Sequence, residues 1–168
     1  ARREKSRWTE FASQRIMFFS QHGLSALLVR AGYDNIMTWS EPNGLTVLCR
    51  KEANEKGRPR LSIVLPVYNE RATFEQLIEA VLEKTFDTME REIIIVESNS
   101  SDGSRELVMQ YENHPEIKVI YENEPRGKGH AVRNGLNHVS GEIILIQDAD
   151  LEYDVDDYDA IMEPILTF

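Results

Sequence analysis

From residue 61 onward the chain repeats one pattern, in which a short run of Ile, Val and Leu is followed by a polar cluster and then by a segment of helical periodicity. The apolar runs predict strands at residues 61–65, 93–96, 117–121 and 143–146. Helices are expected after the first three strands, at about residues 74–82, 102–111 and 128–138. Strands that are buried on both faces have such continuous apolar runs. The alternation therefore predicts an α/β fold with a doubly wound, mostly parallel, Rossmann-like sheet.

The first 60 residues differ from the rest in both charge and pattern. They contain 11 Lys and Arg against 6 Asp and Glu, whereas residues 61–168 contain 8 against 23. Before residue 50 the pattern predicts a helix at about residues 20–30 and a pair of strands at 33–39 and 45–49, joined by a turn at 42–44. This helix-plus-hairpin segment has too little apolar surface for an independent domain. A linker is expected at residues 51–60, which contain Gly and Pro among charged residues and have no periodicity.

The composition argues against several classes of protein. The net charge of -10 argues against nucleic-acid binding, because phosphates are neutralised by a basic surface. Cys49 is the single cysteine, so an internal disulfide is excluded and a reducing, cytoplasmic setting is expected. No apolar run approaches the roughly 20 residues that span a bilayer, so no membrane-spanning helix is expected.

A polar cluster follows each predicted strand, at residues 68–70, 97–103, 126–129 and 148–152. The carboxyl ends of parallel strands meet at one edge of the sheet, where ligands bind. Each cluster alone is typical of an ordinary loop or helix cap, and Asn69 and either Ser101 or Asp102 are the expected caps. Their position after four consecutive strands nevertheless predicts one shared binding site.

The last cluster has the pattern of a metal site. Asp148 and Asp150 are two residues apart, so on an extended segment both carboxylates point the same way, with Glu152 next in the alternation. Two acids directly after a buried strand repel each other unless a cation neutralises them. We expect Mg²⁺ or Mn²⁺, which take carboxylate and phosphate oxygens, and hence a nucleoside diphosphate as the substrate. The alternative is a solvated acidic loop.

Phosphate binding is expected from the cluster with two glycines ahead of the third helix. Arg126 and Lys128 supply positive charge there, and Arg133 lies one turn further along the helix. A flexible surface turn is the alternative for the first two residues. For Arg133 an exposed, solubilising role fits equally well.

Contacts with the base and ribose are expected after the first two strands. Pro66 and Tyr68 are candidates for a wall against a nucleobase, and Glu70 for its edge, although a turn and cap fit the same residues. Short acceptors suited to a base or ribose follow the second strand at Glu97, Ser98 and Asn99.

Four of these motifs, taken in order, resemble one family. They are Leu65–Glu70, Ser101–Ser104, Gly127–Gly135 and Gln147–Asp154. Residues 61–168 are similar to the nucleotide-binding half of family 2 glycosyltransferases with the GT-A fold, closest to the branch that uses dolichyl or polyprenyl phosphate. Four motifs in the right order are specific, whereas Asp-X-Asp alone is a weak signal.

This resemblance implies inverting transfer of a hexose from a donor of the GDP-mannose or UDP-glucose type to an acceptor such as a polyprenyl phosphate. It assigns Asp148 and Asp150 as the metal-binding, catalytic pair, and Glu152 as a further ligand where this branch often has Gln. It implies nucleotide contacts by Pro66, Tyr68 and Glu70, to which the chemistry of the other clusters adds Glu97, Asn99, Lys128 and Asp148 as expected nucleotide-binding residues. It also implies peripheral association with the cytoplasmic face of a membrane and an acceptor region beyond residue 168, so the chain is expected to be a truncated domain.

One motif departs from the family pattern. The family usually has two Asp followed by Gly-Ser after the second strand, whereas here Glu97 retains the acid and Ser98 replaces the second Asp. The base, guanine or uracil, and the sugar therefore stay open.

The leading segment resembles a different family. Residues 8–51, on the motifs Arg15–Ser20 and Leu24–Ala31 and the closing hairpin, are similar to the carboxyl-terminal end of a class I S-adenosylmethionine methyltransferase. We therefore expect residues 1–50 to be the remnant of such a domain. The Gly-rich cofactor loop of that fold is absent, so no methyl transfer is expected from this chain.

Three other functions fit parts of the pattern. A NAD(P)-binding Rossmann oxidoreductase is indicated by Gly127 and Gly129, with Asp148 about 20 residues further on, but Val132 stands where the third glycine belongs. A phosphatase with an Asp-X-Asp nucleophile is a weaker alternative, because Leu151 follows the motif where Gly is required. The third alternative is a nucleotide-binding module without turnover.

Overall fold

The computed structural model describes residues 34–41, 44–50, 58–151 and 154–166. The helix predicted at about residues 20–30 lies outside these ranges, as does most of the predicted linker. None of the helices in the described ranges combines the length and the apolar composition that crossing a membrane requires.

The described strands form one sheet: β1 (Asp34–Glu41), β2 (Gly44–Arg50), β3 (Arg60–Val67), β4 (Glu90–Glu97), β5 (Ile117–Tyr121) and β6 (Ile143–Ile146). Their order across the sheet is β1-β2-β6-β3-β4-β5. The neighbours β6, β3, β4 and β5 are parallel, which confirms the mostly parallel α/β fold. All four strands predicted after residue 60 are present, and β3 and β4 extend beyond their apolar runs.

The described helices are α1 (Phe74–Glu83), α2 (Ser104–Met109), α3 (Lys128–Leu136) and α4 (Tyr158–Leu166), with a short 3₁₀ turn at Val155–Asp157. The first three confirm the predicted helices. Both ends of α2 lie inside the predicted range, and α3 ends two residues early. Such differences arise at helix ends, where apolar periodicity gives no signal.

The predicted cap of α1 is wrong. Thr73 occupies that position, whereas Asn69 lies four residues earlier in a left-handed conformation, with φ 57°, and accepts a hydrogen bond from the N–H of Ser101. The cap position of α2 is a glycine. Asp102, one residue further out, still accepts from the N–H of Ser104 at 2.9 Å, so it covers one free N–H group of the helix.

The core lies on both faces of the sheet. Side chains alternate along β3, so Leu61, Ile63 and Leu65 pack with α1 and α4 on one face, whereas Val64 packs with α3 on the other. The helix α3 approaches the sheet closely, because a Cβ added to Gly135 would lie 2.7 Å from a methyl group of Val64. A glycine at this crossing therefore lets α3 lie this close to the sheet, and a larger residue would require Val64 or the helix to shift.

The β1–β2 hairpin extends the same sheet, a feature that the sequence does not predict. The two strands confirm the expected pair at residues 33–39 and 45–49. β2 then pairs antiparallel with β6, from Leu48 opposite Leu145 to Arg50 opposite Ile143. Pairing between segments so distant in the chain leaves no local sequence signal. The division into a methyltransferase-like segment at 1–50, a linker at 51–60 and a glycosyltransferase part at 61–168 stays a prediction.

Candidate functional site

A pocket of about 330 Å³ lies at the carboxyl ends of the parallel strands. The chain runs from β3 outward to β4 and β5 and then returns to β6 on the other side of β3, so the pocket lies where the winding direction reverses. Seven of the predicted site residues line it together: Pro66, Tyr68, Glu70, Ser98, Lys128, Asp148 and Asp150.

The two acids after β6 face the pocket together, as their spacing predicts. Ala149 between them is 3% exposed and packs into the core, whereas Asp148 and Asp150 both line the pocket. Neighbouring side chains hold the backbone of this segment. The hydroxyl of Thr73 donates to the carbonyl of Ala149 at 2.9 Å, and the side-chain amide of Gln147 donates to the carbonyl of Asp148 at 3.0 Å.

A buried tyrosine of α4 fixes Gln147 in turn. The Tyr158 hydroxyl is buried and donates to Oε1 of Gln147 at 2.8 Å. Burial also raises the pKa of Tyr158, so the hydroxyl keeps the proton that it donates. The carboxylate pair therefore lies on a backbone that is braced from two helices, α1 and α4.

Lys128, the first residue of α3, neutralises one of the acids. Its Nζ donates to Oδ2 of Asp148 at 2.5 Å and also contacts Oδ1. The Asp148 side chain is only 8% exposed and that of Lys128 27%. Burial raises the pKa of Glu70, and the charges of Asp150 and Asp148 raise it further, against a hydrogen bond from Thr73. The acids at this edge therefore repel one another, and a cation stabilises them.

The chemistry of the acid pair suits a hard divalent cation. Carboxylate oxygens are the ligands that Mg²⁺ and Mn²⁺ prefer, and both acids line one pocket. Within the described ranges, no group of three or more His, Cys, Asp and Glu is arranged around a common metal position. Glu152, the third predicted ligand, lies outside those ranges. The pair would thus supply two ligands and leave positions for phosphate oxygens or water.

The β3–α1 and β4–α2 loops form one wall of the pocket because hydrogen bonds join them directly. The main-chain N–H groups of one loop meet side-chain oxygens of the other in four bonds of 2.8–3.0 Å: Asn69 to Ser100, Ser101 to Asn69, Glu70 to Ser104, and Arg71 to Asp102. The polar residues of these two clusters are therefore used largely to hold the loops together.

Glu97 and Asn99 do not line the pocket. Glu97 is fully buried and accepts hydrogen bonds from the N–H of Ser100 at 2.6 Å and from Nη1 of Arg105 at 2.9 Å. Asn99 is exposed and left-handed, with φ 57°. The structure thus gives Glu97 a role in shaping the loop, and nucleotide contacts by either residue stay predictions.

Two of the three predicted phosphate-binding cations also lie outside the pocket wall. Arg126 is exposed and pairs with Glu124 at 2.7 Å, and Arg133 is exposed on α3. Only Lys128 of the three lines the pocket, together with Gly127 at φ 85°. Phosphate binding by Arg126 and Arg133 stays a prediction.

The predicted acceptor Ser98 belongs to a network whose other members, Glu122, His130 and Asn134, are not among the residues predicted from the sequence. Ser98 lines the pocket, and its hydroxyl donates at 2.8 Å to Glu122, a buried carboxylate that also contacts His130 and Asn134. The position of Glu122 in the sequence could have indicated a site residue. It follows β5 directly, just as the predicted site residues follow the other parallel strands. Its partners lie in two other segments, Ser98 after β4 and His130 and Asn134 on α3, so no motif connects them.

Comparison with known proteins agrees with this geometry. Residues 62–167 match the family model described as glycosyl transferase family 2. A dolichyl-phosphate beta-glucosyltransferase of Trichomonas vaginalis is 32% identical over 112 residues, which cover 62% of this chain and 35% of that protein. An undecaprenyl-phosphate 4-deoxy-4-formamido-L-arabinose transferase of Photorhabdus laumondii is 38% identical over 96 residues, covering 55% of this chain and 30% of that protein.

A solved structure shares the fold. It is a mannosyltransferase from Pyrobaculum calidifontis in complex with GDP-Man and Mn²⁺, with 34% identity and a TM-score of 0.54, and the match covers 62% of this chain and 31% of that one. The chain therefore spans about a third of the length of the proteins that it resembles.

Proposed function

The chain belongs to glycosyl transferase family 2, and on that premise we propose that the protein transfers a hexose from a nucleoside diphosphate sugar, of the GDP-mannose or UDP-glucose type, to a polyprenyl phosphate. One observation carries the proposal: the carboxylates of Asp148 and Asp150 share a pocket with the ammonium of Lys128 and the exposed ring of Tyr68. Such a set combines oxygen ligands for a cation, a positive charge for a phosphate and a face for a base.

Asp148 and Asp150 would hold Mg²⁺ or Mn²⁺, with Glu152 as the further ligand that the family resemblance implies. When bound, the cation supplies positive charge to the departing diphosphate. The Mn²⁺ in the similar mannosyltransferase structure supports a divalent metal and leaves the choice between the two open. Thr73 and Gln147 already hold the backbone of the acid pair, so the segment that carries the two carboxylates is fixed before a cation binds.

Lys128 would bind the diphosphate. Its ammonium lies at the pocket wall within hydrogen-bond distance of Asp148, so it can turn from this carboxylate to a phosphate oxygen when a cation takes over the charge of the acid. Arg126 and Arg133 are proposed to assist through their charge from the rim of the site.

Pro66 and Tyr68 would flank the base at the end of β3. The Tyr68 side chain is 47% exposed, so its ring is free to stack on a planar ligand. Glu70 lies at the edge of the same wall, and its main-chain N–H is fixed by Ser104. The proposed contacts of Glu97 and Asn99 would be to the ribose or base from the adjoining loop.

A phosphate acceptor suits the chemistry because its oxygen is already anionic at neutral pH and needs no base to attack the sugar. In the proposed reaction this oxygen forms a bond to the anomeric carbon, the bond from that carbon to the diphosphate breaks, and the configuration inverts. The names of two relatives, which specify dolichyl phosphate and undecaprenyl phosphate, support the acceptor class. Such an acceptor would place the working protein at the cytoplasmic face of a membrane.

Nucleotide binding by the chain tests the first half of this proposal. Affinities for GDP and UDP are measured by calorimetry with and without Mn²⁺, for the wild type and for Asp148→Asn/Asp150→Asn. We expect Mn²⁺ to tighten binding by at least about tenfold in the wild type and to have little effect in the double variant. Asp156→Asn/Asp157→Asn is the matched control, since it removes two exposed acids that do not line the pocket and keeps the pair.

Three results would contradict or narrow the proposal. Metal-independent binding of NAD would favour the dinucleotide alternative, which the family membership disfavours. Equal effects of the two double variants would show that charge alone, and not the pocket pair, controls binding. Metal-dependent binding without transfer of a labelled hexose to a polyprenyl phosphate would leave a nucleotide-binding module without turnover.

A further inference from the structure

A buried carboxylate behind the pocket wall organises three polar side chains. The Glu122 side chain is 5% exposed. Its Oε2 accepts the hydroxyl of Ser98 at 2.8 Å, and its Oε1 lies 3.1 Å from Nδ2 of Asn134 and 2.7 Å from Nδ1 of His130. Ser98 is only 3% exposed but lines the pocket, so it is the member of this network that lies at the ligand side.

The carboxylate determines which way the Ser98 hydroxyl points. An ionised carboxylate accepts hydrogen bonds and donates none, so the single hydroxyl proton of Ser98 is directed at Glu122. The oxygen then has only lone pairs left for a ligand. A ligand that approached the Ser98 oxygen would therefore meet a hydrogen-bond acceptor, although a free serine hydroxyl serves as donor or acceptor equally well.

Ser98 lies at the end of the pocket away from the acid pair. It follows β4, whereas Asp148 follows β6, and β3 lies between these strands. Two strand spacings separate them, roughly 10 Å. A nucleoside diphosphate that directs its phosphates at the acid pair and Lys128 would extend its base across the carboxyl end of β3 towards Ser98.

We propose that Glu122 is a positioning residue that sets the base selectivity of this pocket: by holding the Ser98 proton, it makes Ser98 accept a ring N–H from the base of the bound nucleotide. Uracil and guanine carry such an N–H at N3 and N1, whereas cytosine and adenine present an unprotonated ring nitrogen there. Ser98 favours the first two bases and opposes the other two, because two acceptors would face each other. This inference rests on the proposed function, since it assumes that a nucleoside diphosphate occupies the pocket.

The test is a comparison of base preference in the full chain with Mn²⁺ present. Dissociation constants for UDP, GDP, CDP and ADP are measured by calorimetry for the wild type, Glu122→Gln and Ser98→Ala. In Glu122→Gln the donor amide of Asn134 keeps the new carbonyl oxygen on its side, so the new amide nitrogen faces Ser98 and donates to it. The Ser98 proton then points into the pocket. Glu106→Gln, which changes an exposed acid of α2 in the same way, is the control.

The expected result is a preference of about tenfold or more for UDP or GDP over CDP and ADP in the wild type and in the control. Whichever of UDP and GDP binds more tightly identifies the base. In Glu122→Gln the preference should fall to within about twofold. In Ser98→Ala the affinity for the preferred nucleotide should fall about tenfold, and the affinities for CDP and ADP should change little. Merely structural damage would weaken all four nucleotides alike.

Each other outcome overturns a specific statement. Tight binding of UDP or GDP with a preference that survives both variants refutes the role of Glu122 and Ser98 and leaves the proposed function intact. Metal-dependent binding of all four nucleotides with equal affinity would also refute the role of Glu122 and Ser98 in base selectivity and leave the proposed function intact. If the wild type binds none of them, the proposed function and this inference both fail. Thermal unfolding checks that each variant folds, and where Glu122→Gln does not, Ser98→Ala decides.

Discussion

The pair between Lys128 and Asp148 leads to a prediction in which one substitution has opposite effects on two ligands. Lys128 occupies the carboxylate that the proposed cation would use, with its Nζ 2.5 Å from Oδ2. Replacing it by Met keeps most of the length of the side chain and removes the charge. The cation then no longer competes with the ammonium, whereas a bound diphosphate loses a positive partner.

The size of both effects follows from the geometry of the pair. A hydrogen bond between charged groups contributes about 1.5–3 kcal/mol, and the lower part of this range applies because the Lys128 side chain is 27% exposed. We therefore expect Lys128→Met to bind Mn²⁺ alone about tenfold more tightly, since 1.4 kcal/mol corresponds to a factor of ten. Binding of GDP or UDP at saturating Mn²⁺ should weaken by a similar factor.

Free Mn²⁺ measured by electron paramagnetic resonance gives the metal affinity directly, and calorimetry gives the nucleotide affinity. Lys118→Met is the matched control, because Lys118 is exposed on β5, away from the pocket. This control should leave both affinities within about twofold of the wild type. Thermal unfolding offers a second readout, since a metal at one hundred times its dissociation constant stabilises the fold by about 2.7 kcal/mol.

The reasoning fails if Lys128→Met folds and its Mn²⁺ affinity equals that of the wild type. Such a result would mean that Asp148 is not a metal ligand or that the ammonium does not compete for it. Parallel loss of both affinities would also count against the exchange, because it would give Lys128 a role in building the metal site.

Three further changes test the packing and the polar braces. Gly135→Ala should lower the free energy of unfolding by about 1–2 kcal/mol in urea titrations, because the new Cβ would lie 2.7 Å from Val64. This clash should outweigh the higher helix propensity of Ala. An unchanged urea midpoint would show that α3 can shift away from the sheet. Burial of Glu92 favours its protonated form, but hydrogen bonds from neighbouring serine and glycine residues outweigh burial and lower its pKa. The ionised Glu92 therefore stabilises the fold fully at pH values above the usual pKa of 4.5. This stabilisation is lost as the pH falls through the lower pKa of the folded state. Glu92→Gln should therefore cost about 1–3 kcal/mol at neutral pH and flatten the acid branch of stability against pH, and a parallel shift of the whole curve would contradict this sign. Tyr158→Phe should destabilise the fold by about 1–3 kcal/mol and weaken Mn²⁺ binding, because Gln147 loses the donor that holds it beside the acid pair. A loss of stability with unchanged Mn²⁺ affinity would show that the hydrogen bond from Tyr158 to Gln147 does not orient the two acids.

The alternation of apolar runs predicts most of the fold after residue 60. Strands such as residues 143–146 are buried on both faces, and their sequence is apolar at every position, so their bounds are readable from the chain alone. The family resemblance drawn from four motifs is confirmed by the match over residues 62–167. The pairing of β2 with β6 could not be predicted in the same way, because hydrogen bonds between distant strands depend on backbone groups that every sequence has.

Site residues could be predicted where the position in the strand pattern determines which way a side chain points. They could not be predicted where several hydrogen-bond partners are available to a polar side chain. Asp148 and Asp150 face one pocket because a buried Ala149 separates them. Glu97, by contrast, turns inward to its own loop and to Arg105, since a buried carboxylate requires donors and the nearest ones are local. Which donors a buried carboxylate meets depends on the groups that are close to it in the folded structure, and residue spacing in the sequence does not reveal them.

The hairpin at residues 34–50 has a consequence for self-association. The four-residue strand β6 is wholly apolar, and on its outer side it would present a row of unpaired N–H and C=O groups if β2 did not cover it. Open edges of this kind recruit strands from other molecules and begin aggregation. By pairing with β6, the hairpin therefore covers an apolar strand edge that would otherwise be open to other chains.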